Sequence, residues 1–397
     1  MKNHYNEMLN FLPKDNSLIN FNKLIELFPT LKELAKTPQD AYYHAEGDVW
    51  THTKMVCNSL INLPEYQKAN CKDKFIMFYA ALLHDIAKPA CTKLEKDGKI
   101  TSAGHSKRGA IDCRIMLWRY GVPFEIRENI TNIIATHQVP FFAFNDKKKL
   151  DSNKPIRSPE YIANQLSWQL PLNLLINVAT ADMMGRTYLE KQKSLDDIEL
   201  FKEIALEQDC YYNPRNFSDA KTRLEYFRSI GAISPDYSFF KETGSDVIVL
   251  SGLPAVGKNT WIEQNMKGIE VVSFDDAKEA LGLVQGDNIG KAVHMVIDRA
   301  KELLRKKEPF IWNATHLSSQ MRKKTLDLLF NYNAQINLIY LEASEDEIKA
   351  RNSKRDTTLT NAKIDEMLFK WEVPTKIEAH DVTYIPNSII KNKLKIK

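Results

Sequence analysis

Asp246-Val-Ile-Val-Leu-Ser-Gly252-Leu-Pro-Ala-Val-Gly257-Lys258-Asn259-Thr260 joins a short β-branched run to a glycine-bounded turn and then to a helical pattern. Strand, tight turn and helix start are the context that a phosphate-binding loop requires. Glycines let the backbone aim its N–H groups at phosphate oxygens, and the helix N-terminus adds its dipole. Lys258 is placed to reach the β- and γ-phosphates of a nucleotide. Gly252, Gly257, Lys258, Asn259 and Thr260 are therefore candidate ATP-binding residues. A Ser or Thr hydroxyl normally follows the lysine and meets Mg²⁺; here Asn259 stands in that place, with a hard amide oxygen of similar reach.

Further strand-like runs follow at 269–274, 310–312 and 336–341, separated by helical patterns. Strands alternating with helices predict a parallel α/β sheet. Ser344-Glu-Asp-Glu347 after the last run is a capping box that opens another helix. Ser273-Phe-Asp275-Asp276-Ala-Lys278 falls at the carboxyl end of the second run, where ligands bind in open α/β sheets. A carboxylate there can accept the proton of an attacking hydroxyl, although Asp276 also reads as a helix cap. Arg351-Asn-Ser-Lys-Arg355 puts two arginines at i and i+4, a pair able to clamp transferring phosphates or to serve only as a solvated helix face.

Together these stretches, over about 246–371, resemble the polynucleotide 5′-kinase branch of P-loop phosphotransferases. The resemblance implies Asp275 as general base, Lys278 as the residue that holds the acceptor phosphate, and Arg351 and Arg355 as lid arginines on the donor nucleotide. Asn313-Ala-Thr315-His316 with Arg322 looks like the family's strand-three motif, with Asn313 where that motif usually has an aspartate.

Upstream, the first two-thirds of the chain read as helical: apolar residues recur at three- and four-residue intervals in 75–87, 111–120 and 126–136. Phe75-Ile-Met-Phe-Tyr-Ala-Ala-Leu-Leu-His84-Asp85-Ile-Ala-Lys88 is apolar on most faces, which predicts a buried helix stopped by Pro89. A second buried helix is expected near 172–184, and 145–155 reads as an exposed loop. The stretch 211–244, with Pro214, Gly231, Pro235 and Gly244, is the natural junction.

Within the helical region His52, His84-Asp85, His105, His137 and Asp182 form an ordered series. Imidazole and carboxylate ligands suit transition metals (Mn, Fe, Co, Ni, Cu or Zn), and six of them can hold two ions. Two metals can activate a water and neutralise a phosphoester together. Burying Asp85 at the end of an apolar helix costs several kcal/mol unless it is paired or coordinated.

His44-Ala-Glu-Gly-Asp-Val-Trp-Thr-His52-Thr, Leu82-Leu-His84-Asp85-Ile-Ala-Lys88-Pro and Gly104-His105 resemble the HD phosphohydrolase superfamily over about 42–186, in particular the HD domain of bacterial tRNA nucleotidyltransferases. That resemblance implies one metal on His52, His84, Asp85 and Asp182, and a second completed by His105 and His137. It implies action on 2′,3′-cyclic, 2′- or 3′-phosphates. Lys88 and Arg108 are candidates for holding the substrate phosphate, or are surface charges; His44 is either structural or a support for a ligand.

Composition narrows the classes. The chain has 397 residues with 43% hydrophobic content, enough for real cores and against a disordered chain. Lys+Arg 55 against Asp+Glu 51 leaves a net charge of only +4, so a nucleic-acid partner must rest on local patches. Such patches occur at Lys147-Lys-Lys149, Arg305-Lys-Lys307, Arg322-Lys-Lys324 and 391–397, each of which also reads as a solvated face. Five scattered cysteines without CxxC spacing argue against a disulfide framework. The N-terminus lacks a signal-peptide pattern and no run approaches a membrane span, so a cytoplasmic protein is expected.

The expected architecture is multidomain: an all-α HD-type helical domain over 1–210, a junction over 211–244, and an α/β P-loop kinase domain with a parallel sheet over 245–397. Such a chain resembles the HD-domain/polynucleotide kinase fusions of bacterial RNA repair. The expectation is an enzyme that phosphorylates 5′-hydroxyl ends of RNA or DNA with ATP or another NTP and Mg²⁺, and removes 3′-terminal phosphates, before a ligase acts. A small-molecule nucleotidase fused to a nucleoside kinase, and a nucleotide-responsive binding module with a degenerate P-loop, remain the alternatives.

Overall fold

A computed structural model describes residues 4–13, 18–144, 157–238, 240, 242–283, 290–354 and 359–386. The expected loop at 145–155, the basic run at 147–149, Arg355 and the basic tail at 391–397 lie outside the described residues. The chain divides into two compact units, Met1–Asn216 and Phe217–Lys397.

In the first unit five helices carry the candidate site: α1 (Val49–Ile61), α2 (Cys71–Leu83), α3 (His105–Arg119), α4 (Phe124–Thr136) and α5 (Leu172–Met184). Helix α2 is the core of the unit. Every residue from Phe75 to Leu83 is at most 1% exposed, because α1, α4 and α5 pack around it on separate sides. A helix enclosed in this way needs no polar face, which is why its sequence is apolar throughout. Each Leu or Phe so buried contributes about 1.5–3 kcal/mol. Asp48 and Asn70 cap α1 and α2 by accepting the N–H groups of Thr51 and Asp73.

Helix α2 ends at Leu83, six residues before the expected stop at Pro89. The chain leaves it through a tight turn in which Ile86 N–H donates to Leu83 O and Lys88 N–H to Asp85 O, and Pro89 sits at the start of a separate short helix, Lys88–Cys91. The break puts His84 and Asp85 in a turn, free of the helical register. The unit is also not wholly helical: Lys93–Leu94 and Ile100–Thr101 pair antiparallel in a small hairpin.

The second unit begins earlier than the sequence reading placed it. Helix α6 (Ala220–Arg228) packs within this unit: Arg223 donates to the carbonyls of Ala379 and His380, and Arg228 lies 4.0 Å from the centre of the Phe330 ring. Residues 211–216, by contrast, hold to the helical unit through Asn173 N–H to Tyr211 O and Trp168 Nε1 to Arg215 O. The stretch 211–244 is thus shared between the units.

Five parallel strands form the sheet of the second unit: β1 (Asp246–Ser251), β2 (Glu270–Ser273), β3 (Phe310–Asn313), β4 (Gln335–Leu341) and β5 (Asp381–Ile385), in spatial order β2-β3-β1-β4-β5. The first four coincide with the apolar runs of the sequence. The edge strand β5 was not expected; its Asp381-Val-Thr-Tyr-Ile pattern is too short and mixed to stand out. Helices α7 (Lys258–Asn265), α8 (Phe274–Ala280), α9 (Gly290–Lys306) and α10 (Ser319–Asn331) make the crossovers between the first four strands, and α11 (Glu345–Asn352) follows β4 with the predicted capping box on Ser344 and Glu347. No helix among the described residues is long and apolar enough to cross a membrane, and the five cysteines are free thiols.

Candidate functional site

Two clusters stand out, one in each unit. In the helical unit the six residues of the His/Asp series arrive from five places: His52 on α1, His84 and Asp85 in the turn after α2, His105 at the first position of α3, His137 just past α4, and Asp182 on α5. All six are buried: His52, His84, His137 and Asp182 are fully enclosed. Their polar atoms meet. His52 Nε2 lies 3.0 Å from Asp182 and 3.9 Å from Asp85, His84 Nε2 3.1 Å from Asp85 and 4.0 Å from Asp182, and His105 Nε2 3.3 Å from Asp85.

The imidazole orientations are fixed from behind. His84, His105 and His137 each turn Nδ1 to the carbonyl three residues earlier, Ala81, Ser102 and Ile134, at 2.7, 2.7 and 2.8 Å. A carbonyl only accepts, so Nδ1 carries the proton and Nε2 presents a lone pair to the centre. His52 Nδ1 instead faces Glu46 at 3.0 Å, and Glu46 also holds His44 Nδ1 at 2.8 Å. Both ring nitrogens of His52, Nε2 of His84 and His137 and both oxygens of Asp85 are buried without a well-directed hydrogen bond, Asp85 being met by the Lys88 ion pair and the ring nitrogens of the cluster. Buried polar atoms are normally paired, so a convergent set of orphans is the arrangement that a metal satisfies.

Among the described residues four triads have donor atoms within 4.8 Å of one another: His44/Glu46/His52, which lies behind the ligand series, and His52/His84/Asp85, His84/His137/Asp182 and Asp85/His105/His137 within it. Asp85 and the shared histidines tie them together, so the donor set fits two adjacent ions. The imidazoles differ in charge preference: burial opposes protonation of His84, yet the neighbouring carboxylates Asp85 and Asp182 raise it above the ordinary histidine value. Burial lowers His137 to about 3 and lowers His105, which keeps these imidazoles neutral. Burial opposes charge on Asp85 and Asp182, but His84 and Lys88 hold the first carboxyl, and Arg186 and His52 the second, well below the usual range.

Lys88 joins this cluster. It is buried, with Nζ 2.7 Å from Asp85 and 2.6 Å from Gln39 Oε1. Arg108 lies on the exposed side of α3, bonded to Asp112 at 2.8 Å. Three residues escaped the sequence reading. Arg186 makes a bidentate contact to Asp182, legible only as an i, i+4 pair. Glu46 supports His52 and accepts Thr187 N–H, a contact across 141 residues that no local pattern announces. Gln39, whose Nε2 is buried without a partner, carries no signal at all.

In the second unit the loop after β1 turns as its glycines require. Gly252 has φ +148°, and a Cβ there would collide with Leu341 O; Gly257 caps α7 with φ +109°. Lys258 folds over the loop, donating from Nζ to the Gly252 and Leu253 carbonyls at 3.0 and 2.9 Å. Arg351 reaches the same loop, donating to Val256 O at 2.8 Å. Helix α11 ends at Asn352, and Arg355, the expected partner of Arg351 in the arginine pair, lies outside the described residues. Asp275 is exposed on the first turn of α8 and pairs with Lys278 at 3.0 Å; Ser273, not Asp276, caps that helix.

Asn259 and Asn313 meet: Asn313 Nδ2 donates to Asn259 Oδ1 at 2.8 Å. The two departures from the expected motif are therefore one feature, a carboxamide pair at the end of β3 beside the loop. His316 and Arg322 are structural. His316 is buried against Leu250 O and Thr325, with burial lowering it to about 4, and Arg322 is locked to Glu378 and to the carbonyls of His316 and Glu372. If Asn259 presents its oxygen to Mg²⁺, Asn259→Ala should weaken Mg·ATP binding while Asn259→Ser retains it. Asn313→Ala should show part of the same loss by freeing the amide. Titrating Mg²⁺ against nucleotide binding checks both, and an unchanged Asn259→Ala variant would assign the ion to Thr260 or water.

The family model of the AAA domain matches residues 247–374, the part of the second unit that carries this loop, so that unit is a P-loop domain. The chain is 29% identical to the multifunctional CCA protein of Pasteurella multocida over 42% of its length and 37% of that protein's. It is 30% identical to the same-named protein of Mannheimia succiniciproducens, covering 45% and 42%. To the bifunctional polynucleotide phosphatase/kinase of Schizosaccharomyces pombe it is 25% identical, covering 45% and 42%. The chain thus spans less than half the length of these curated relatives. A solved structure of a candidate kinase from Chloroflexus aurantiacus is 17% identical, covering 38% of this chain and 92% of that one with a TM-score of 0.32.

Proposed function

We propose that the chain is a nucleic-acid end-healing enzyme with two separate active sites: an HD-type phosphohydrolase in the helical unit and a polynucleotide 5′-hydroxyl kinase in the P-loop unit. The observation that carries this reading is the enclosed His52/His84/Asp85/His105/His137/Asp182 cluster, with the Nε2 atoms of His52, His84 and His137 buried without a hydrogen bond, on the same chain as a P-loop. The chain's similarity to a bifunctional polynucleotide phosphatase/kinase, and to multifunctional CCA proteins, supports a nucleic-acid substrate.

In the helical unit, two transition-metal ions on these ligands would supply an activated water and neutralise the phosphoester. Lys88, beside Asp85, and the unpartnered Nε2 of Gln39, whose Oε1 accepts from Lys88, are the donors for a phosphate oxygen, and Glu46 and Arg186 hold His52 and Asp182 in place. The product is a 3′-hydroxyl end. In the P-loop unit, Lys258, the loop N–H groups and Arg351 hold the donor phosphates of ATP. Lys278 holds the acceptor phosphate, and Asp275 takes the proton of the 5′-hydroxyl as it attacks the γ-phosphorus. Arg355 is proposed as the second lid arginine.

The test is to incubate the full chain with ATP and a labelled oligonucleotide that bears a 5′-hydroxyl and a 3′-phosphate. Both ends should be converted. Imidazole-rich ligands select Ni²⁺, Co²⁺, Mn²⁺ or similar ions, whereas the nucleotide phosphates select Mg²⁺. Chelation followed by Mg²⁺ alone should therefore restore phosphorylation without phosphate removal; full phosphate removal in Mg²⁺ alone would contradict the assignment. The Asn259–Asn313 pair specifically favours one other reading, a P-loop that binds nucleotide without transferring phosphate. ATP binding without turnover on any acceptor would establish it.

A further inference from the structure

We propose that Tyr42, Tyr43 and Tyr188 form a stacking platform for the nucleobases of a single strand whose 3′ end enters the helical unit's site. The proposal rests on the phosphohydrolase reading above and adds the surface that would recognise its substrate. The three rings are in mutual contact: Tyr42–Tyr43 centroids lie 4.8 Å apart, Tyr43–Tyr188 5.5 Å and Tyr42–Tyr188 5.7 Å. Tyr42 and Tyr43 nevertheless remain 52% and 49% exposed. Each tyrosine alone would be an ordinary surface residue. Three touching one another, two of them half open and Tyr188 partly buried behind them, make a concentrated aromatic surface of the kind that binding sites use.

The platform is joined to the metal-ligand cluster by short, direct links. Tyr42 and Tyr43 immediately precede His44, whose ring centre is 4.8 Å from that of His52. Tyr188 follows Thr187, whose N–H donates to Glu46 and whose carbonyl accepts from Ala45 N–H at 3.0 Å. Glu46 is the carboxylate that faces His52 Nδ1. Both strands of chain that carry the rings are thus clamped by the group that orients a ligand. The rings are also held in advance. Tyr42 N–H donates to Asp40 Oδ1 and the Tyr188 hydroxyl to Glu190 at 3.1 Å, and Asp40 Oδ2 accepts Ile100 N–H from the hairpin. A surface fixed before binding loses little entropy on binding.

Charge selects the ligand. The carboxylates Asp40 and Glu190 sit beside the tyrosines, so the surface is not one that phosphates would seek. It offers neutral aromatic faces, and a nucleobase is the part of a nucleic acid that stacks on them, whatever its identity. A single strand suits it better than a duplex, whose bases are already stacked. The strand's terminal phosphate would lie at the metal cluster and the bases behind it on the platform.

The experiment uses the full chain and a 5′-phosphorylated single-stranded oligonucleotide with a 3′-phosphate, beside the same oligonucleotide made abasic at its last three positions. Affinity is read by fluorescence anisotropy and turnover by phosphate release. Tyr43→Ala should weaken binding of the ordinary strand about tenfold and raise its KM in parallel, with kcat unchanged. Tyr43→Phe should bind like the parent, since stacking needs the ring and not the hydroxyl. The abasic strand should bind the parent and Tyr43→Ala alike. Equal affinity of the ordinary strand for parent, Tyr43→Ala and Tyr188→Ala would overturn the platform, as would an equal loss on the abasic strand or a Phe variant as weak as Ala. Failure of the parent to bind the strand would overturn it too. Tyrosine-dependent binding without phosphate release would uphold the platform and overturn the phosphohydrolase reading instead.

Discussion

Asp85→Ala is expected to end phosphate removal, by more than a hundredfold, while phosphorylation of a 5′-hydroxyl end stays near the parent rate. Even residues that merely orient a ligand are worth about 10–100-fold, and Asp85 stands in the ligand set itself. It is the carboxylate within 3.1 Å of His84 and 3.3 Å of His105, and it belongs to two of the four donor triads. Its loss removes a negative charge from an enclosed group of imidazoles and leaves Lys88 with Gln39 alone. Metal content, measured on the purified variant, should fall together with activity. Asp85→Asn keeps the volume and one oxygen donor but not the charge, so it separates ligation from packing. Thermal unfolding of all variants checks that the helical unit is intact. Loss of the kinase along with phosphate removal in a folded Asp85→Ala protein would contradict the two-site reading.

The converse variant, Lys258→Ala, should lower phosphorylation by about 10²–10³-fold, the cost of removing one preorganised group from developing transition-state charge. Lys258 lies over the Gly252–Leu253 carbonyls, on the loop whose N–H groups are proposed to hold the phosphates. An alanine leaves the fold of the loop to Gly252 and Gly257 and deletes the charge only. Phosphate removal from a 3′ end should be unaffected. Asp275→Ala should differ in kind: turnover falls, while ATP binding is kept, because the carboxylate acts on the acceptor hydroxyl and not on the donor. A Lys258→Ala protein with normal phosphorylation would move the nucleotide site elsewhere, and one that had lost phosphate removal would join the two activities.

Much of the molecule was legible from local pattern. The strand-turn-helix at Asp246–Lys258 depends on neighbouring residues, since β-branched side chains, two glycines at positive φ and a helix start are short-range requirements. The buried helix Leu172–Met184 and the Ser344/Glu347 capping box follow from periodicity and spacing in the same way. The end of α2 did not. Pro89 is a strong local breaker, yet the helix stops at Leu83 because Asp85 and His84 are drawn into a tight turn by partners on other helices.

The order and chemistry of the His/Asp series belong to the sequence, because residue type alone decides which atoms can ligate a metal. Its geometry belongs to the tertiary structure. Six residues spread from position 52 to position 182 become one cluster only when α1, α4 and α5 pack around Phe75–Leu83 and α3 packs on α4, and no one-dimensional signal records that distance. The same holds for Glu46 with Thr187, for the tyrosines at 42, 43 and 188, and for Asn259 with Asn313. Each pair is distant in the chain and joined by a contact worth little by itself, so the sequence specifies the side chains while long-range packing, which sums many such contacts, decides which of them meet.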